Sequence, residues 1–173
     1  MSDAAKTPEY EMVDQRFEII DGVEYMLSAP SAEHQEMVGM IYEQLKIWFR
    51  DKSCKVYLAP VAVHLFKNED EIQPDLFVLC DKSKIVDGKV MGAPDLVVEV
   101  VSPSSDKRDL AVKPMLCKKA GVKEYWAVDR DSVVMWDFKN DTVSIVPFEV
   151  GSVVKSSHFQ GLEVERYSLD WSL

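Results

Sequence analysis

The sequence predicts an α/β fold of the α+β kind, with strands that pair mostly antiparallel and two helices. Three observations carry that expectation. Asp21-Gly22 separates two short β-patterned runs, one apolar stripe recurs at helical spacing between Met37 and Trp48, and two runs of buried-type residues, Gln73 to Cys80 and Asp95 to Val101, read as strands.

Phe17-Glu18-Ile19-Ile20 and Val23-Glu24-Tyr25-Met26-Leu27 flank Asp21-Gly22. That dipeptide suits a two-residue type I′ turn, in which both central residues need positive φ, so the pair is an N-terminal hairpin. After Pro30, the residues Met37, Ile41, Leu45 and Trp48 fall on one helical stripe. Ser31 is the expected N-cap and Glu33 complements the helix dipole, so one amphipathic helix covers Ala32 to Arg50. Val56 to Phe66 has strand character interrupted at Pro60, and the polar segment Asp81 to Gly92 reads as a loop. Pro103 closes the strand that begins at Asp95.

A second helix is expected from Asp106 or Asp109 to Lys119, ended by Ala120-Gly121, where glycine accepts a left-handed cap. Pro114 predicts a kink unless that helix starts late. Lys123 to Asp129 alternates like a strand, and Val133 to Phe138 with Val143 to Phe148 make a C-terminal hairpin around Lys139-Asn140-Asp141. Tyr125, Trp126 and Trp136 lie in strand patterns and are expected to pack in the core. No repeat, linker or low-complexity stretch divides the chain, so residues 1–173 are expected to form one domain with residues 1–9 as a flexible start.

Composition bounds the chemistry. The 173 residues suffice for one core, and no apolar run approaches the ~20 residues of a membrane span. Met1 to Glu9 is too polar for a secretory signal, so the expected compartment is the cytoplasm, with no membrane partner. Cys54, Cys80 and Cys117 are odd in number and widely spaced, which reads as reduced thiols rather than a disulfide framework or zinc site. The net charge of −10 argues against a general polyanion-binding surface, so any contact with nucleic acid must be local and assisted by divalent metal.

The chemistry-bearing feature is the placement of carboxylates within apolar strands. An ionised carboxylate buried without compensation costs several kcal/mol, so such an acid is paired, hydrogen-bonded or coordinating a cation. Asp75, Asp95 and Glu99 are the acids in question, and Lys113 follows downstream. Two acids and a lysine can make a metal-dependent hydrolase site, although a structural ion pair would use the same residues. Asp95 and Glu99 sit four residues apart on one strand, roughly 13 Å, too far for one ion. Asp75, on a strand paired with that of Glu99, could lie about 5 Å from it. Asp95 is then a residue of the strand start or turn, and Ser102 and Asp109 organise the following turn and helix N-terminus.

These residues, in their order, resemble the Uma-two family of restriction-endonuclease-like proteins: Phe17 to Gly22, Ser31 to Gln35, Pro74-Asp75, Pro94 to Ser104, Arg108 to Lys113 and Ala120 to Asp129. The resemblance spans almost the whole chain. It implies the PD-(D/E)XK nuclease superfamily, a restriction-endonuclease-like mixed central sheet flanked by helices, with the N- and C-terminal hairpins as additions. It also implies Mg²⁺, or Mn²⁺ in its place, held by Asp75, Glu99 and the Val100 backbone carbonyl. The superfamily motif carries a lysine two residues after the acid, a position occupied here by Val101, and the resemblance assigns that role to Lys113. Glu18 and His34 match further family positions as an additional ligand and a group that positions Asp75 or a phosphate. A solvent-facing strand glutamate and a capping histidine are their ordinary alternatives. The implied activity is endonucleolytic hydrolysis of phosphodiester bonds in nucleic acid, DNA in the first instance, by a homodimer. The competing expectation is a noncatalytic binding protein, also dimeric, that retains the fold.

Overall fold

A computed structural model describes residues 16–66, 70–101 and 108–168. The expectations for residues 1–9, Ser102, Pro103 and Asp106 lie outside the described residues.

The first hairpin forms as the Asp-Gly dipeptide requires. β1 (Phe17–Ile20) and β2 (Val23–Met26) pair antiparallel, with φ of 51° at Asp21 and 74° at Gly22. α1 (Ala32–Trp48) begins at Ser31, whose hydroxyl accepts the His34 amide at 3.2 Å. The next strand region is broken at Pro60, giving β3 (Lys55–Leu58) and the two-residue β4 (Val63–His64). The run from Gln73 to Cys80 is shorter than expected: β5 (Glu71–Ile72) precedes it, and only β6 (Leu76–Leu79) is strand. Segment 81–92 is a correction to the loop expectation. It contains a hairpin, β7 (Ile85–Val86) and β8 (Lys89–Met91), turned by Asp87 and Gly88 at φ of 49° and 78°. The same Asp-Gly chemistry was present there, but its flanking strands are too short to show period-two alternation.

β9 (Leu96–Val100) leads toward a π-helical turn at Arg108–Val112, and α2 (Lys113–Ala120) follows. Because α2 starts this late, Pro114 falls in its first turn, where a missing N–H costs no hydrogen bond. Gly121, at φ 97°, caps α2 by donating to the Cys117 and Lys118 carbonyls. The remainder is strand and turn: β10 (Glu124–Val128), β11 (Ser132–Asp137), β12 (Thr142–Pro147), β13 (Val153–Lys155) and β14 (Glu163–Glu165).

Two six-stranded mixed sheets result. The central sheet runs β12-β11-β10-β9-β6-β3, with β9 and β10 parallel and the other pairs antiparallel. The second runs β2-β1-β5-β4-β8-β7, and β13-β14 is a separate pair. Alternation along the central strands sends side chains to two cores. α1 contributes Met37, Ile41 and Leu45 to one, against Leu76, Val98 and Trp126. On the opposite face Leu116 and Cys117 of α2 join Ile20, Val63 and Ile72 of the second sheet against Phe77, Val97 and Tyr125. The aromatic expectation holds for Tyr125 and Trp126, which are buried, with Trp136 half-buried beside them.

The cysteines differ from the reading as reduced thiols. Cys54 and Cys80 are disulfide-bonded, and only Cys117 is free. The β3–β6 register pairs Lys55 with Leu79, so the residues one step beyond face each other. A separation of 26 positions gave no hint of that before the register was known.

Candidate active site

The antiparallel register of β6 and β9 pairs Leu76 with Val98, so the next step outward brings Asp75 opposite Glu99. The Asp75 amide donates to Glu99 Oε2 at 3.3 Å, and the Val100 amide donates to Asp75 Oδ2 at 2.8 Å. His34, one turn into α1, reaches the same Asp75 oxygen through Nε2 at 3.1 Å, and Gln35 approaches its Nδ1 at 3.4 Å. The helix cap at Ser31 therefore aims His34 across the sheet end.

Glu99 points to the face covered by α2 and the second sheet, where Lys113 enters from the first turn of α2. Its ammonium lies 2.9 Å from Glu18 Oε1, 2.9 Å from Glu99 Oε1 and 3.0 Å from Asp109 Oδ1. All four side chains are buried. The ammonium thus faces three carboxylates contributed by β1, β9 and the π-helical turn, and donates a hydrogen bond to Glu99. Glu18 is fixed further by the Gln73 amide at 2.9 Å, while its Oε2 is buried without a partner.

The cluster is electrostatically unbalanced. Three carboxylates surround one ammonium, and Asp75, beside Glu99, is paired with His34. Burial drives the Glu99 carboxyl well above the ordinary range, and Asp109, Asp75 and Glu18 push the same way against Lys113. Burial alone would weaken the Lys113 ammonium, but Glu99, Glu18 and Asp109 outweigh it and raise its pKa well above that of a free lysine. His34 is raised chiefly by its hydrogen bond to Asp75, against the opposing effect of burial.

This arrangement, with Asp75 and Glu99 on adjacent strand ends and a helix-borne lysine beside them, invites comparison with known proteins. The sequence profile of Uma2, described as "Putative restriction endonuclease", matches residues 7–167. The chain belongs to the Uma2 family. A crystal structure titled as a putative nuclease of DUF820 from Anabaena variabilis superposes with a TM-score of 0.68 at 18% identity, covering 83% of each chain. At that identity the likeness establishes the fold, a nuclease-like mixture of sheets and helices. No protein of curated function matches the sequence.

In this Uma2 chain the five residues singled out from sequence line one cleft of about 710 Å³ together with Val100. Asp95 is not among them. It sits at the start of β9, where Oδ2 accepts the Cys80 amide at 2.8 Å and its carbonyl accepts from Lys123 and Glu124, the strand-start role expected of it. Asp109 departs from its expected helix-organising role: its carboxylate contacts Lys113, and its carbonyl accepts from the buried Tyr125 hydroxyl at 2.9 Å. The i,i+4 spacing of Asp109 and Lys113 is the signal that could have revealed this. Arg16, Arg108 and Gln73 also line the cleft; Arg108 lies in the Arg108 to Lys113 motif, but no site role was expected of any of the three. Arg108 stacks over Tyr25 at 4.8 Å.

Among the described residues no three acidic, histidine or cysteine side chains converge as a metal-ligand set. The donor chemistry nevertheless fits a hard divalent cation. Asp75, Glu99, Glu18 and Asp109 bring carboxylate oxygens to one part of the cleft, and Glu18 Oε2 is an orphaned buried acceptor. No helix among the described residues is long and apolar enough to cross a membrane.

Proposed function

We propose that this protein is an endonuclease that hydrolyses phosphodiester bonds of nucleic acid, DNA in the first instance, with Mg²⁺ or Mn²⁺. The observation that carries the reading is the opposed pair Asp75 and Glu99 beside a buried lysine, in a cleft whose wall also presents arginines. A fold gains little from burying Glu18, Glu99 and Asp109 around one ammonium beside Asp75, whereas a cation-dependent site can use carboxylates held this closely. Membership of the Uma2 family supports the same reading.

Asp75, Glu99 and the Val100 carbonyl would hold the ion, with Glu18 as an additional acceptor. When bound, such an ion supplies a water of lowered pKa and offsets charge developing on the phosphate. His34 holds Asp75 in position. Lys113 orients Glu99 and places positive charge beside the reacting phosphate. Arg16 and Arg108 offer guanidinium groups to flanking phosphates, a local exception to the overall charge of −10.

One observation favours the noncatalytic alternative: the Lys113 ammonium is buried within ion-pair distance of three carboxylates, as a structural counter-ion would be. Assays of purified protein on single- and double-stranded DNA and RNA, with Mg²⁺, Mn²⁺ or chelator, separate the two. The nuclease reading expects metal-dependent cleavage that falls about a thousandfold or more in Asp75→Ala and Glu99→Gln. It also expects Mn²⁺ to raise the melting temperature of wild type but not of Glu99→Gln. Absence of cleavage on every substrate, together with no thermal response to metal, leaves the binding protein.

A further inference from the structure

α1 borders the candidate active site at its N-terminal end and a second depression at the other, a hollow of about 540 Å³. That hollow is lined by Tyr42 and Lys46 of α1, by Arg50 of the turn after it and by Lys55 of β3. β3 runs back from there toward the cleft, which Ala59 lines. Four strand residues separate the two, roughly 13 Å. Among the described residues, none of the three cations pairs with a carboxylate. Glu43, the acid in the lining, accepts the Tyr167 hydroxyl at 3.0 Å.

A helix-terminal dipole accounts for Lys46 and Arg50 singly, and an outer strand benefits from the charge of Lys55. Neither accounts for their meeting at one hollow in a chain of net charge −10. Gly39 supplies an independent observation. Gln35, Gly39, Tyr42 and Lys46 recur at helical spacing, so one stripe of α1 runs from the cleft to the cations. Glycine is the poorest helix former after proline, yet Gly39 lies mid-helix and exposed, where an added Cβ would meet nothing within 4 Å. No neighbour among the described residues needs that space. The helix backbone is left bare halfway along the stripe.

We propose that this stripe is the path of a single nucleic-acid strand leaving the cleft, with Lys46, Arg50 and Lys55 binding its phosphates and Gly39 giving room for a sugar or base against the helix. The inference rests on reading the cleft as a nucleic-acid site. It adds a second binding site and the strandedness of the ligand.

Phosphate matches the donors of the hollow, and the half-buried Tyr42 ring, with the Lys46 ammonium 5.8 Å from its centroid, offers a face on which a base can stack. The narrow footprint selects one strand. A duplex lays two backbones over a wider area, and its binders commonly make about 6–10 phosphate contacts. Arg16 and Arg108 in the cleft with Lys46, Arg50 and Lys55 in the hollow fall short of that.

Fluorescence anisotropy with the full chain tests this, using thymidine oligonucleotides of about four and about twelve nucleotides, with Mg²⁺ present and phosphorothioate linkages to resist hydrolysis. Wild type is expected to bind the longer strand more tightly than the shorter one, and more tightly than a duplex of the longer length. The triple variant Lys46→Ala, Arg50→Ala, Lys55→Ala should bind the longer strand about tenfold more weakly and lower its salt slope by about 2, at ~0.7 per phosphate contact. Its affinity for the shorter strand should not change. Gly39→Leu alters no charge: it should raise the melting temperature and yet weaken the longer strand at least about fivefold. A triple variant or a Gly39→Leu protein that binds the longer strand like wild type overturns the proposal, and so does a duplex bound as tightly. Failure of the nuclease reading looks different. Unmodified strands left intact, with length-dependent binding retained, remove hydrolysis and support the path.

Discussion

Glu99 and Glu124 lie on the neighbouring parallel strands β9 and β10, and both are buried, but their surroundings differ completely. Glu124 is surrounded by neutral donors. Its oxygens accept Trp126 Nε1 at 2.9 Å, the Ser157 amide at 2.9 Å and hydroxyl at 3.1 Å, the Ser156 hydroxyl at 2.5 Å and the His158 amide at 3.3 Å. Glu99 meets one ammonium and three further carboxylates, and burial pushes it toward its protonated form. The first arrangement ties the C-terminal segment to the sheet. The second is poorly balanced without a cation. The two glutamates therefore differ in how far their partners offset a buried charge, and the proposed site lies at the one that is offset less.

The largest effect that would break this comparison comes from Lys113→Met. Removing the ammonium strands three buried carboxylates, so about 3–5 kcal/mol of stability should be lost in urea unfolding. A loss within experimental error would mean that the carboxylates are already protonated or solvated. Glu124→Ala should follow at about 2–3 kcal/mol, because Trp126 and the serine donors lose a shared acceptor. An unaffected midpoint would show that water replaces the carboxylate at no cost. Asp95→Ala should cost about 1 kcal/mol, the Cys80 hydrogen bond, and leave metal-dependent cleavage intact. Loss of cleavage there would bring Asp95 into the site.

Glu99→Gln has the opposite sign: without metal it should be neutral or gain up to about 1 kcal/mol, since Lys113 keeps Glu18 and Asp109. Marked destabilisation would make Glu99 a structural partner like Glu124. The smallest effect concerns Asp137. Partial burial raises its pKa, but hydrogen bonds from Asn140, Ser157 and Lys139 outweigh it and leave it below the ordinary aspartate value. A lowered folded-state pKa contributes stability that is present above the unfolded pKa of about 3.8 and lost as pH falls through the folded value. An NMR titration of the carboxyl should therefore show a lowered midpoint, and a midpoint at or above 3.8 would remove that contribution.

Much of this contrast could be read before any coordinates, through local chemistry. Asp21-Gly22, Ser31 and Gly121 each act within a few residues, and each produced the expected turn or cap. Asp75 opposite Glu99 was also accessible, because a pairing between their strands leaves few registers that bury both apolar runs. What could not be read depends on contacts between distant segments. The Cys54–Cys80 bond needs the β3–β6 register, and the five donors around Glu124 come mostly from Ser156 to His158, more than thirty positions away. Arg16 and Arg108 reach the cleft only because the first hairpin and the turn before α2 both border it.

The lysine cluster also bears on the order in which the protein assembles. Glu18, Glu99, Asp109 and Lys113 come from three well-separated stretches of chain, and the ammonium is stabilised only when all three carboxylates surround it. An encounter that buries Lys113 before Glu18 arrives bears the desolvation cost without full compensation, so the first hairpin should dock after the main folding barrier is crossed. Such late contacts govern escape from the native state rather than arrival at it. In stopped-flow measurements Glu18→Gln should accelerate unfolding and leave the refolding rate nearly unchanged, making the residues of the cleft a latch on the native lifetime of the molecule.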